Sequence, residues 1–83
     1  MDGKHVHHIV EQSQIGKSNI PAQQIHNTNN TILLDSPIHG KITGHYNRGI
    51  IGFSHFRDSL VGTGFIHQYQ TGIDVLAMYG VFL

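Results

Sequence analysis

The chain has 83 residues, 39% apolar and only 12% charged, with five Lys and Arg against five Asp and Glu and no cysteine. That length supports one compact domain with one modest core, and zero net charge creates no long-range field toward nucleic acid or anionic lipid. The missing cysteines exclude a disulfide framework and leave imidazole, carboxylate or water to hold any metal. No apolar run approaches the roughly 20 residues of a membrane span, and the N-terminus lacks the charged-then-apolar pattern of a secretory signal.

In chain order, KHVHHIV (Lys4 to Val10) predicts a short strand whose apolar content is Val6, Ile9 and Val10. From Glu11 to Asn30 the composition turns to Gln, Asn, Ser and Thr, which predicts a long loop with a single helical turn in PAQQIHN after Pro21. Loops of that length in small domains carry function or disorder. Thr31 to Leu34, TILL, predicts a second strand, stopped by DSP, where Asp35 or Ser36 can cap a helix and Pro37 suits its first turn. A helix over Pro37 to Tyr46 follows, closed by Asn47 and Gly49, which tolerate the left-handed conformation.

A short helix over Ser54 to Val61 precedes a longer one. Phe65, Ile66, Tyr69, Ile73, Leu76, Ala77 and Gly80 recur at three and four, the spacing of one helical face, so the second helix is predicted from a cap at Thr63 to a terminator at Gly80. Gly72 inside it costs about 1 kcal/mol relative to alanine. The competing reading takes GIDVLAMYGVFL as a strand at a subunit interface of a small all-β assembly module. IGKS (Ile15 to Ser18) lacks the upstream glycine of a phosphate-binding loop, having Glu11 there.

Eight histidines are the chain's most unusual feature, and three of them, His5, His7 and His8, fall within four positions. A histidine pair ending one strand, Asn30 opening the next and His39 in the first turn of the following helix stand in the order H…N…H. With HHIVEQ, IHNTNNTILLD and HGKITGHY as they stand here, this order resembles the HNH (His-Me finger, ββα-metal) nuclease superfamily, in the form found at the C-termini of bacterial polymorphic toxins. The resemblance implies an α+β fold: one domain over residues 1–83, with a ββα-metal core over about 4–48 and packing helices over about 54–80.

The implied activity is hydrolysis of phosphodiester bonds by a metal-dependent endonuclease, on DNA rather than RNA. Its implied setting is a toxin module delivered by a bacterial secretion system into the cytoplasm of a target cell and neutralised at home by an immunity protein. Such chemistry needs a nucleophilic water, a base for its proton and positive charge on the phosphate oxygens. Neighbouring side chains on a strand face opposite ways, so His7 and His8 cannot do the same job. The resemblance gives His7 to the metal, His8 to the base and Asn30 to orienting that base, with His39 as the second ligand of a divalent ion, magnesium or zinc.

Many members carry a further ligand four residues along that helix, where this chain has Thr43. His45, six residues after His39, lies about 600° round the helix at about 100° per residue and reaches the same ion only if the helix ends early. It is a further candidate ligand on that condition. Lys41, Arg48 and Arg57 are candidate phosphate contacts, whereas His5, His26, His55 and His67 read as surface groups. The low charge is unusual for a nuclease, since neutralising phosphates supplies most non-specific affinity. A noncatalytic domain with a histidine-held structural metal is the alternative from another functional class.

Overall fold

The computed structural model describes residues 3–83 and shows an α+β arrangement. Strands β1 (Lys4–His8) and β2 (Thr31–Asp35) form a two-stranded antiparallel sheet, running from Lys4 opposite Asp35 to His8 opposite Thr31. The register puts His5, His7, Ile32 and Leu34 on one face and Val6, His8, Thr31 and Leu33 on the other, because strand side chains alternate. The first set faces the helix that follows. Val6 and Leu33 stay exposed.

The connection between the strands is more ordered than its composition predicts. It holds two one-turn helices, α1 (Gln14–Lys17) and α2 (Ala22–Ile25), then a 3-10 turn over Thr28–Asn30. Its apolar residues Val10, Ile20 and Ile25 are buried together, with Phe65 and Tyr69 against them. This small second cluster is what lets a segment so rich in amides hold one path.

Helix α3 (Ser36–Asn47) starts where DSP predicts, with Pro37 in its first turn. Asp35 stands at the cap position, but its carboxylate turns away to pair with the Lys4 ammonium, while the Ser36 N–H donates to the Gly3 carbonyl at 2.8 Å. Those contacts close the open end of the hairpin. The predicted left-handed closure at Asn47 and Gly49 does not occur: Arg48 is extended, with φ −70° and ψ 148°, and its carbonyl accepts from the Phe56 N–H at 2.7 Å. Tertiary pairing, not a glycine cap, ends this helix.

The predicted helix over Ser54 to Val61 is a shorter 3-10 segment, Phe56–Leu60. The final helix, α4 (Phe65–Met78), forms as its periodicity predicts, which excludes the all-β alternative. Its cap residue is Gly64 and not Thr63, whose hydroxyl donates to the Leu60 carbonyl at 2.6 Å. At the other end Gly80 has φ +84°, and the Gly80 and Val81 N–H groups return to the Ala77 and Leu76 carbonyls, both at 3.0 Å, a glycine-dependent Schellman ending. No helix among the described residues is long and apolar enough to cross a membrane.

The main core joins Ile9, Leu34, Ile42, Tyr46, Leu60, Val75 and Leu76, so α3, α4 and the residue after β1 meet in one apolar cluster. Gly72 lies at the tightest point. A Cβ there would stand 2.6 Å from the Ile9 carbonyl oxygen and 2.7 Å from its Cγ2, so α4 touches the backbone directly behind His8. Replacing Gly72 with alanine sets a helix-propensity gain of about 1 kcal/mol against an overpacking cost of about 1–3 kcal/mol. Because the obstructing atom is backbone, the second effect wins. Gly72→Ala is expected to lower stability by about 1–2 kcal/mol, read from the midpoint of urea denaturation.

Candidate active site

The hairpin and α3 enclose a cleft of about 200 Å³ lined by Val6, His7, His8, Glu11, Gln12, His39, Ile42, Thr43 and Tyr46. Side chains of both strand faces reach it because the sheet has only two strands and β1 keeps a free edge. On α3 the lining positions 39, 42, 43 and 46 form one helical face. His7, His8 and His39, separate in the sequence, therefore share a cavity.

His7 is the most constrained of them. It is 7% exposed, its Nε2 is buried with no hydrogen-bond partner, and its ring stands edge-on to His39 with centroids 5.7 Å apart. Burial, then the neighbouring His39 and His8, pull its pKa down from 6.5 to about 4, so it is neutral and keeps a lone pair at neutral pH. His39 is in turn stacked on His5, with centroids 4.9 Å apart and planes 9° from parallel. His5, read from sequence as a surface group, is exposed yet fixes the plane of the His39 ring.

His8 belongs to a second histidine pair, edge-on to His26 at 5.6 Å. Partial burial, then His26, lower its pKa. Its Nε2 lies 3.3 Å from Gln12 Nε2. An amide nitrogen only donates, so His8 Nε2 is the acceptor and the ring proton sits on Nδ1. The Gln12 amide thus occupies the lone pair through which a neutral imidazole would abstract a proton.

Asn30 does not touch His8. It is 1% exposed, its Oδ1 accepts from the Val10 N–H at 2.9 Å, and its Nδ2 donates to the carbonyls of Val10 at 3.1 Å and Ile25 at 2.9 Å. The predicted orienting role is thus exerted on backbone, two residues beyond His8, while the side chain in contact with His8 is Gln12. Gln12 and His26 carry no sequence signal for this, because their approach depends on the path of the connecting loop.

His45 stands apart from the cleft. It is 4% exposed, its Nδ1 lies 3.2 Å from the Tyr79 hydroxyl, and Phe56 packs edge-on at 4.9 Å. The helix runs on to Asn47 and so never brings His45 round to the His39 face. Burial and then Arg48 keep its pKa below the usual histidine value. As a metal ligand alongside His7 and His39 it is ruled out by this placement, and among the described residues no three His, Cys, Asp or Glu side chains gather round one point.

The candidate phosphate contacts also separate. Lys41 and Arg48 are exposed, and Lys41 is not part of the cleft wall. Arg57 is engaged within the protein: its Nε and one terminal nitrogen donate to the two Glu11 oxygens, each at 2.9 Å, and its other terminal nitrogen donates to Asn47 Oδ1. Glu11 itself lines the cleft, so the charge pair forms part of the wall. Tyr46, seven residues after His39, is 2% exposed with its hydroxyl unpartnered; burial and Glu11 raise its pKa, so it stays protonated. That spacing of 39, 42, 43 and 46 was available from the sequence.

Comparison with family models, with curated proteins and with solved structures finds no match to this chain.

Truncating Asn30 leaves the Val10 N–H and the Val10 and Ile25 carbonyls without their buried partner. At about 1–3 kcal/mol for each stranded group, partly recovered by relaxation, Asn30→Ala is expected to lose about 3 kcal/mol or more in chemical denaturation. His7 gives a pH signature. Its folded pKa lies below the unfolded value, so between 6.5 and about 4 the unfolded chain takes up a proton that the folded chain refuses. Stability is therefore expected to be unaffected by His7 above pH 6.5 and to fall by about 2 kcal/mol on acidification through that window, allowing for solvent screening. Thermal melts in chelator should show this fall, and His7→Gln should reduce it, leaving the part owed to His8 and His45, whose pKa values burial also lowers.

Proposed function

We propose that the chain is a metal-dependent endonuclease domain of the His-Me finger kind, with a ββα-metal core formed by β1, β2 and α3. The observation that carries this reading is the meeting of His7, His8 and His39 at one cleft, with His7 Nε2 buried and unpartnered. An unpaired buried imidazole nitrogen is costly unless something binds it. His7 and His39 are the two protein ligands, and His5 holds the His39 ring in plane. Two imidazole donors favour zinc or another borderline ion over magnesium, which prefers oxygen. When bound, the cation supplies positive charge to the phosphate oxygens and to the departing oxygen.

His8 takes the proton of the attacking water at Nε2 once that water displaces the Gln12 amide, whose N–H occupies the Nε2 lone pair here, with Nδ1 protonated. Substrate affinity does not rest on a basic surface, since Lys4 and Arg57 are paired with Asp35 and Glu11. It rests on the cleft, with Lys41 midway along α3 and Arg48 at its C-terminal cap as exposed cations. The likeness of HHIVEQ, IHNTNNTILLD and HGKITGHY to toxin nucleases supports a toxin module paired with an immunity protein and acting in a target cell on DNA.

The test is incubation of the purified protein with plasmid and with total RNA, each with zinc, magnesium or chelator. Cleavage that needs the divalent ion is expected. His8→Ala should lower the rate by about 100-fold or more, with melting temperature and metal affinity close to wild type. His39→Ala should weaken metal binding in calorimetry. A His8→Ala protein that cuts at the wild-type rate would overturn the assignment of the base, and unfolding on loss of His8 would favour a structural metal instead.

A further inference from the structure

A second cavity, of about 310 Å³, is lined by Gln24, Asn27, Asn29, Asn30, Phe65, Ile66 and Tyr69. It is larger than the cleft and has no charged side chain in its wall. Carbon dominates one side, where the Phe65 and Tyr69 rings lie 5.8 Å apart with planes inclined by 30°. Amides form the other. Asn30 is fully engaged with backbone, and Asn27 Oδ1 accepts from the Asn29 N–H, but among the described residues the Gln24 and Asn29 side-chain amides make no hydrogen bond. Tyr69 closes the two sides together by donating from its hydroxyl to the Asn29 carbonyl at 3.3 Å.

A wall of aromatic rings facing free primary amides matches a neutral, planar ligand with donors and acceptors on its edge. Aromatic faces stack on any base, and an amide presents one acceptor and two donors to a base edge. A phosphate or a carboxylate would find no cation here. The location adds to the chemistry. Residues 24–30 form the amide wall, and His26 within that same segment packs against His8. A base held in the cavity therefore lies across one loop from the proposed base catalyst.

We propose that this cavity is a nucleobase subsite, which takes an unpaired base next to the phosphate presented to His8 and so selects single-stranded nucleic acid. The proposal rests on the nuclease reading for its role, while base binding itself does not depend on cleavage. Duplex bases are stacked and paired and cannot enter such a cavity without being extruded. Selection by stacking also fits a chain of zero net charge, whose grip on phosphates is weak.

The test has a binding arm and a rate arm. In nuclear magnetic resonance titrations adenosine and uridine, which carry no phosphate, are expected to shift the amide resonances of Gln24, Asn27 and Asn29, and ribose 5-phosphate is expected not to. Phe65→Leu keeps an apolar side chain against Val10 and Ile25 but removes the ring, so it should melt near wild type and bind the nucleosides about 10-fold more weakly. In the rate arm, the KM for a single-stranded oligonucleotide should rise about 10-fold in Phe65→Leu relative to bis(p-nitrophenyl) phosphate, a diester without a base. Equal response to ribose 5-phosphate, or an unchanged nucleoside affinity in a folded Phe65→Leu protein, overturns the proposal. Hydrolysis of neither substrate by the wild type removes the nuclease reading, and the nucleoside titration then decides the subsite by itself.

Discussion

One buried amide organises this molecule. Asn30 ties the N–H and the carbonyl of Val10 to the strand that answers β1, and it ties the carbonyl of Ile25 to both. Twenty residues separate Val10 from Asn30, and an open loop of that length specifies no register by itself. With the clamp made, the end of β1 has one position, β2 begins beside it, and α3 starts five residues later with His39 in its first turn. The cleft and the cavity share this residue's surroundings, since Asn30 forms part of one and fixes the strand end that borders the other. A side chain first read as a partner of His8 is better understood as the fastener of the frame on which His8 is mounted.

The electrostatics of the site are local. Arg57 and Glu11 neutralise each other in a two-point pair at the cleft wall, and Lys4 and Asp35 do so at the far end of the hairpin. What remains is a group of imidazoles, of which His7 and His8 are biased to their neutral form by burial and by neighbouring histidines. Stacking of His5 on His39 and the edge contacts of His7 with His39 and of His8 with His26 fix ring planes without adding charge.

Much of the frame was legible in the sequence, for reasons that differ by element. The strands, α3 and α4 follow from short apolar runs, from Pro37 after a capping residue and from the three-four spacing that begins at Phe65, all of which are local signals. The grouping of His7, His8 and His39 was legible only through the resemblance of the H…N…H order, since His7 and His8 lie on opposite faces of β1. The partners of those residues were not. Glu11 captures Arg57 from 46 positions away, and Gln12 and His26 reach His8 through a loop whose path is decided by the burial of Val10, Ile20 and Ile25. His45 was a candidate only if α3 ended early, and α3 runs on to Asn47 before Arg48 pairs with Phe56.

Gly72 was read as a helix weakness, and it is the residue that lets α4 seat on the Ile9 backbone. Positions 9 and 72 meet across a long stretch of sequence, so a large loop must close before α4 supports the end of β1. Rigidity of the histidine-bearing strand is therefore a property of the folded whole and not of the hairpin alone.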